Sequence, residues 1–288
     1  MIMQLSELIS EVESEKIVKG RMIDLGFGIT KQKFTENGVT HVLFNVPNLK
    51  FQNWTEKEFL INKLSKSILA FIKNAKSILV VGLGNRHISS DSFGVKTASG
   101  VIATRGLMNL KREVSVVTPS VFGLTGIESA EMVKSIVKTV CPDVVVAIDT
   151  LCAIEHKNLV TNFQLSNGGF VPGAGVGNNR MEINENSVGV PVITIGVPFV
   201  VYAKSFVVDA INSVMQTTMQ HGKNLDNMGV FNNLIKCGFD GLVLTVKDVE
   251  QCVKQASFVV YSALNLAFNN YSVQEQNLVL NFTWFYKI

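Results

Sequence analysis

Three short apolar runs, at residues 78–81, 114–118 and 144–148, constrain this chain more than any other feature. Each is continuous and rich in β-branched side chains, the pattern of a parallel strand covered on both faces. Segments of helical character separate them, at 92–108 and 126–140. Parallel strands joined through helices make right-handed crossovers. The runs therefore predict a βαβαβ unit from Ser77 to Asp149. The fold class expected is α/β, a three-layer sandwich. Its central sheet is mostly parallel or mixed, with helices on both faces.

The flanking regions are read around that unit. Residues 1–18 form an acidic amphipathic start, and 40–45 are β-like. A helix is expected over 54–73, with Thr55 as N-cap and Glu58 three residues on. Beyond Asp149, the alternation in 162–166 suggests an exposed or edge strand, and 167–179 is a glycine-rich loop. A strand over 191–196 and helices over 199–219 and from Thr245 to about Phe268 follow. The aromatic tail from Asn281 carries no assignable pattern. Two regions result: a divergent N-terminal part, 1–76, with a propeptide-like start, and an integrated core, 77–288.

Composition excludes several classes. Apolar residues make up 47% of the 288 and charged residues 17%, enough to fill a core without staples. The formal charge of +3 is spread without a dense basic block, which argues against direct nucleic-acid binding. None of the four cysteines, Cys141, Cys152, Cys237 and Cys252, stands in a C-x-x-C spacing, and free thiols in a reducing cytoplasm are expected. The longest apolar region, 188–201, is broken by Gly189, Pro191, Gly196 and Pro198, so no membrane span is expected.

Sites in open α/β sheets form beyond the carboxyl ends of the strands. Asp149 ends the third run. Asp91 lies just past the first, after the turn Gly82-Leu83-Gly84-Asn85. If the first and third strands are near neighbours, the two carboxylates converge and share one proton, a pair fit for acid–base catalysis. Each has a plainer alternative: Asp91 as a helix cap, Asp149 as a solvated strand end. Gly82, Gly84 and Asn85 are candidates for backbone contacts to a substrate or an oxyanion. So are Gly175, Gly177, Asn178 and Arg180 in the second glycine cluster. His87 stands where a G-x-G-x-x-G fingerprint needs its third glycine, so a dinucleotide is not expected. His87 and His156 lie near the aspartates in sequence, but no H-E-x-x-H spacing exists. No metal and no cofactor are expected.

Longer blocks then carry a family resemblance. G-L-G-N from Gly82, D-S-F-G from Asp91 and A-I-D-T-L-C-A from Ala147 resemble the germination protease family. So do F-Q-L-S-N-G-G-F-V-P-G-A-G-V-G-N-N-R from Phe163 and G-V-P-V-I-T-I-G-V-P-F-V-V-Y-A from Gly189. The resemblance implies an endopeptidase that cuts small acid-soluble spore proteins early in germination, in the cytoplasm of the spore core. It implies a zymogen that loses an N-terminal segment, a homotetramer, and catalytic aspartates matching Asp91 and Asp149. It also implies the phosphorylase/hydrolase-like fold of hydrogenase-maturation peptidases, which use a metal. The family cuts after an acidic residue that precedes an apolar one. Ser6-Glu7-Leu8-Ile9-Ser10-Glu11 has that form, so self-processing is expected between Glu7 and Leu8. The alternatives are a metal-dependent maturation peptidase and an inactive binder of spore proteins.

Overall fold

The computed structural model describes residues 20–47, 53–172, 180–218, 233, 238–239 and 241–285; within 212–218 and 281–285 it describes the backbone alone. Among these residues nine strands form one mixed sheet. They are β1 (Met22–Gly26), β2 (Ile29–Glu36), β3 (Val39–Asn45), β4 (Ser77–Gly82), β5 (Glu113–Val117), β6 (Val144–Ala153), β7 (Asn162–Ser166), β8 (Val192–Tyr202) and β9 (Val243–Thr245). The order is β1-β2-β3-β7-β8-β6-β4-β5, with β9 on β8. Strands β5, β4, β6 and β8 run parallel. β7, β3, β2 and β1 continue the sheet antiparallel. The expected three-strand unit is thus three of the four parallel strands, with β6 between β4 and β8.

The helices are α1 (Trp54–Ile72), α2 (Phe93–Ser99), α3 (Phe122–Thr125), α4 (Ser129–Val140), α5 (Glu185–Val188), α6 (Ala203–Thr218), α7 (Val249–Asn269) and α8 (Val273–Phe285). Alternate residues of one strand feed different layers. Ile78 and Val80 pack with α1 (Leu60, Leu64, Ile68) and α7 (Val253, Val260, Leu264). Leu79 and Val81 pack with Ala130, Val133 and Val137 of α4. A strand with helices on both sides has no solvent face. That is why the sequence runs are continuous rather than alternating.

Several boundaries differ from the sequence expectation for identifiable reasons. Asn53 caps α1, in place of Thr55, through a reciprocal box with Glu56. The helix expected over 92–108 stops at Ser99. Gly100 lies against the Tyr261 ring. Asn265 of α7 then accepts from the Ile102 N–H and donates to the Gly100 carbonyl, drawing the chain out of helix. β7 is an interior strand, buried throughout between β3 and β8. Its polar Asn162 is satisfied by Asn158 and Thr161. β6 continues four residues past Asp149 along β8. Residues 1–18 lie outside the described residues.

Candidate active site

Strand β4 ends where the site begins. Its last register pair with β6 is Gly82 with Ile148, and the Leu83 N–H still reaches the Ile148 carbonyl at 2.8 Å. Gly84, at φ +101°, then turns the chain away, into the 3₁₀ turn Ser89–Asp91 and helix α2. That helix lies directly on the strand ends. Gly94 meets backbone of Leu83 and Ile148, and Gly82 meets Gly94 and Ala98. A Cβ at either position would separate the layers, so these glycines serve close packing.

The turn returns the Asp91 carboxylate toward the strand ends. Asp91 Oδ2 accepts the Asn85 N–H at 2.7 Å. The residue does not cap α2: Ser92 holds the cap position, without a side-chain cap bond. Burial raises the Asp91 carboxyl to about 6, and the Asn85 N–H pulls weakly the other way. Asp149 lies inside β6 and is 3% exposed, not a solvated strand end. Its Oδ1 accepts the N–H of Thr150 at 2.8 Å, and the Thr150 hydroxyl donates to the Ser90 carbonyl at 3.0 Å. The two acid-bearing segments are thereby linked directly.

Both aspartates line one cavity of about 270 Å³. Leu83, Ile88, Val121, Phe122, Leu151, Val200 and Val243 give it a mostly apolar wall. The charged residues beyond the acids are Glu128 and Arg180, and Ser90, Ser129 and Thr150 add hydroxyls. Arg180 Nη1 donates to Glu128 Oε1 at 3.2 Å, and its guanidinium lies 4.7 Å from the centre of the Phe122 ring.

Of the residues singled out from sequence, Asp91, Asp149, Gly84 and Arg180 share this cavity. Gly82 is buried in the strand behind it, and the Asn85 N–H is already given to Asp91. Gly175, Gly177 and Asn178, and Glu7 and Leu8, lie outside the described residues. Glu128, Phe122, Thr150 and Val243 are cavity residues that the sequence reading missed. For Glu128 there was a signal: with Glu131 three residues on, it forms a capping box at the start of α4.

The chain's similarities follow this geometry. The sequence profile described as germination protease matches residues 9–239. A germination protease of Caldanaerobacter subterraneus subsp. tengcongensis is 32% identical over 84% of this chain and 82% of that protein. This chain belongs to the germination protease family. A germination protease of Clostridium perfringens is 35% identical over 72% of this chain and 70% of that one. Among solved structures, the NiFe hydrogenase maturation protease HycI of Thermococcus kodakarensis KOD1 matches at a TM-score of 0.39 and 13% identity. That match covers 69% of this chain and 98% of the other. The family assignment stands on the germination proteases alone.

Among the described residues no three His, Cys, Asp or Glu side chains gather as a ligand group. His156 faces Asp209 instead, with Nδ1 3.1 Å from Oδ2, and the His87 N–H donates to Asn85 Oδ1. Among the described residues no helix is long and apolar enough to cross a membrane.

Proposed function

We propose that this chain is an endopeptidase that opens small acid-soluble spore proteins to degradation during germination, with Asp91 and Asp149 as its working acids. One observation carries the reading. In a chain of the germination protease family, one carboxylate from a strand and one from the turn that follows its parallel neighbour border the same mostly apolar cavity. Asp91, held up to about 6 by burial, carries the shared proton up to about that pH. Asp149 takes a proton from water as the water oxygen attacks the scissile carbonyl carbon. Asp91 delivers its proton to the amide nitrogen as the C–N bond breaks. The apolar wall receives a side chain beside the scissile bond, and Arg180 receives a substrate carboxylate in competition with Glu128. The glycine segment with Gly175, Gly177 and Asn178 supplies backbone donors to the extended substrate.

The family's other features come with this reading: a homotetramer in the spore core, made as a zymogen and cut between Glu7 and Leu8. The test incubates the purified protein with a small acid-soluble spore protein, with and without chelator, beside Asp91→Asn and Asp149→Asn. Cleavage by the parent in both conditions and by neither variant is expected. Activity in either variant, or activity that vanishes with chelator and returns with metal, overturns the assignment. Mass spectrometry of the mature N-terminus tests the processing site; a chain that matures without the cut after Glu7 refutes that part.

A further inference from the structure

The β4–β6 ladder ends at Gly82 and Ile148, yet both acids lie beyond that point, on segments the sheet no longer ties together. Asp91 sits on a 3₁₀ turn of three residues, and Asp149 on the part of β6 that follows only β8. Acids that share a proton need a separation fixed to a fraction of an ångström, and a displacement of about 1 Å costs on the order of 100-fold in rate.

Thr150 stands at the gap. Its hydroxyl donates to the carbonyl of Ser90, the residue before Asp91, at 3.0 Å. Its N–H donates to the carboxylate of Asp149, the residue before it, at 2.8 Å. One residue thus touches one acid directly and holds the turn that carries the other. The bonds do not substitute for one another, because the first needs a side-chain hydroxyl and the second only a backbone N–H. Removing the hydroxyl leaves the Asp149 contact in place and takes away the bond from β6 to the Asp91 turn.

We infer that Thr150 is a positioning residue of the peptidase, a hydroxyl tether that sets the distance between the Asp91 and Asp149 carboxylates. The inference rests on the reading of those acids as the working pair. A tether of this kind acts on the chemical step, so its loss lowers kcat and leaves KM nearly unchanged. It also acts on Asp91 itself. Once the turn relaxes, water reaches the carboxyl, and the desolvation that holds it up is partly relieved. The limb of the pH–rate profile set by Asp91 then moves to lower pH.

The test uses Thr150→Val, which keeps shape without the hydroxyl, Thr150→Ala as a second hydroxyl-free variant, and Thr150→Ser. Rates are followed from pH 4 to 9 on a quenched-fluorescence peptide spanning a cleavage site of a small acid-soluble spore protein. Thermal melting of each variant reports folding. Hydroxyl-free variants that fold are expected to lose about 10- to 100-fold in kcat, with KM within a factor of about two. Their limb near pH 6 is expected to fall by about half a unit or more, with Thr150→Ser recovering both rate and limb. Undiminished kcat without the hydroxyl overturns the inference. So does a loss that leaves the limb unmoved and that Thr150→Ser shares. Asp91→Asn and Asp149→Asn run alongside: if they cleave, the reading of the acids has failed; if they are dead while Thr150→Val and Thr150→Ala match the parent, the tether alone has failed.

Discussion

Gly84 and Asp91 are fitted to each other. Gly84 holds φ +101°, and a Cβ there would strike the Asp91 carbonyl oxygen and stand 3.2 Å from Asp91 Oδ1. Gly84→Ala therefore meets two penalties, a backbone conformation that L-residues avoid and a collision with the acid turn. Strain of the first kind alone costs about 1–3 kcal/mol. Urea unfolding is expected to show a loss of at least about 2 kcal/mol. Peptidase activity is expected to fall more than the unfolded fraction explains, because the displaced residue is Asp91. A variant with parental stability and rate would show that the turn is not constrained as described.

Burying the Asp91 carboxyl has a stability consequence with a definite sign. Its folded-state value, about 6, lies above the unassociated value of 3.8, so between these values the folded chain holds more protons than the unfolded chain. The contribution is intact below about pH 4 and is lost as pH rises through 6. Above that, the fold carries the cost of an ionised buried carboxylate, at most about 3 kcal/mol. Asp91→Asn removes the charge and keeps an oxygen to accept the Asn85 N–H. It is expected to stabilise the protein by about 1–2 kcal/mol at pH 8 and by little at pH 4, while abolishing cleavage. Urea melts at the two pH values measure this; equal effects at both would contradict the burial argument.

Arg112 joins the ends of two helices without a carboxylate. Arg112 is 6% exposed, and its guanidinium donates to the carbonyls of Lys73 and Ala75 after α1, and of Ala267 and Phe268 at the end of α7. Those of Lys73, Ala267 and Phe268 are carbonyls that helix ends leave without intrahelical partners, and that of Ala75 lies just beyond α1. Arg112→Met strands them in the interior at about 1–3 kcal/mol for each group left unsatisfied, so a total loss of about 3 kcal/mol or more is expected in urea melts. Arg112→Lys is expected to recover less than half, since one ammonium cannot span both helix ends. Full recovery by lysine would point to charge rather than geometry.

How much of this was readable beforehand depended on whether local pattern or tertiary contact decided each element. β4 and β6 were legible because burial on both faces writes itself as an unbroken apolar run; β5, at the sheet edge and buried only at Val114, was legible from its β-branched residues. The strands β1 and β2 were not: Met22, Ile23 and Asp24 of β1 are exposed at the sheet edge, and β2 buries only Ile29 and Phe34. Helix α2 was overextended because its stop comes from Asn265, 165 residues beyond Gly100. The two aspartates were found from their places after apolar runs. Thr150 and Glu128 were not, since each matters through a partner remote in sequence, Ser90 in one case and Arg180 in the other.

The last of these pairs predicts a change in substrate affinity. Arg180 is partly buried, and its one hydrogen bond to a described carboxylate is the 3.2 Å contact with Glu128. A substrate carboxylate entering the cavity competes with Glu128 for that guanidinium, which the Phe122 ring keeps flat and in place. Glu128→Gln removes the competing charge. It is expected to lower KM about three- to tenfold for peptides with an acidic residue beside the scissile bond, and to leave kcat unchanged. Arg180→Ala is expected to raise KM for the same peptides by about tenfold or more. Neutral analogues, with glutamine for glutamate, are expected to respond to neither substitution. If acidic and neutral peptides shift together, Arg180 supports the cavity wall and does not read charge.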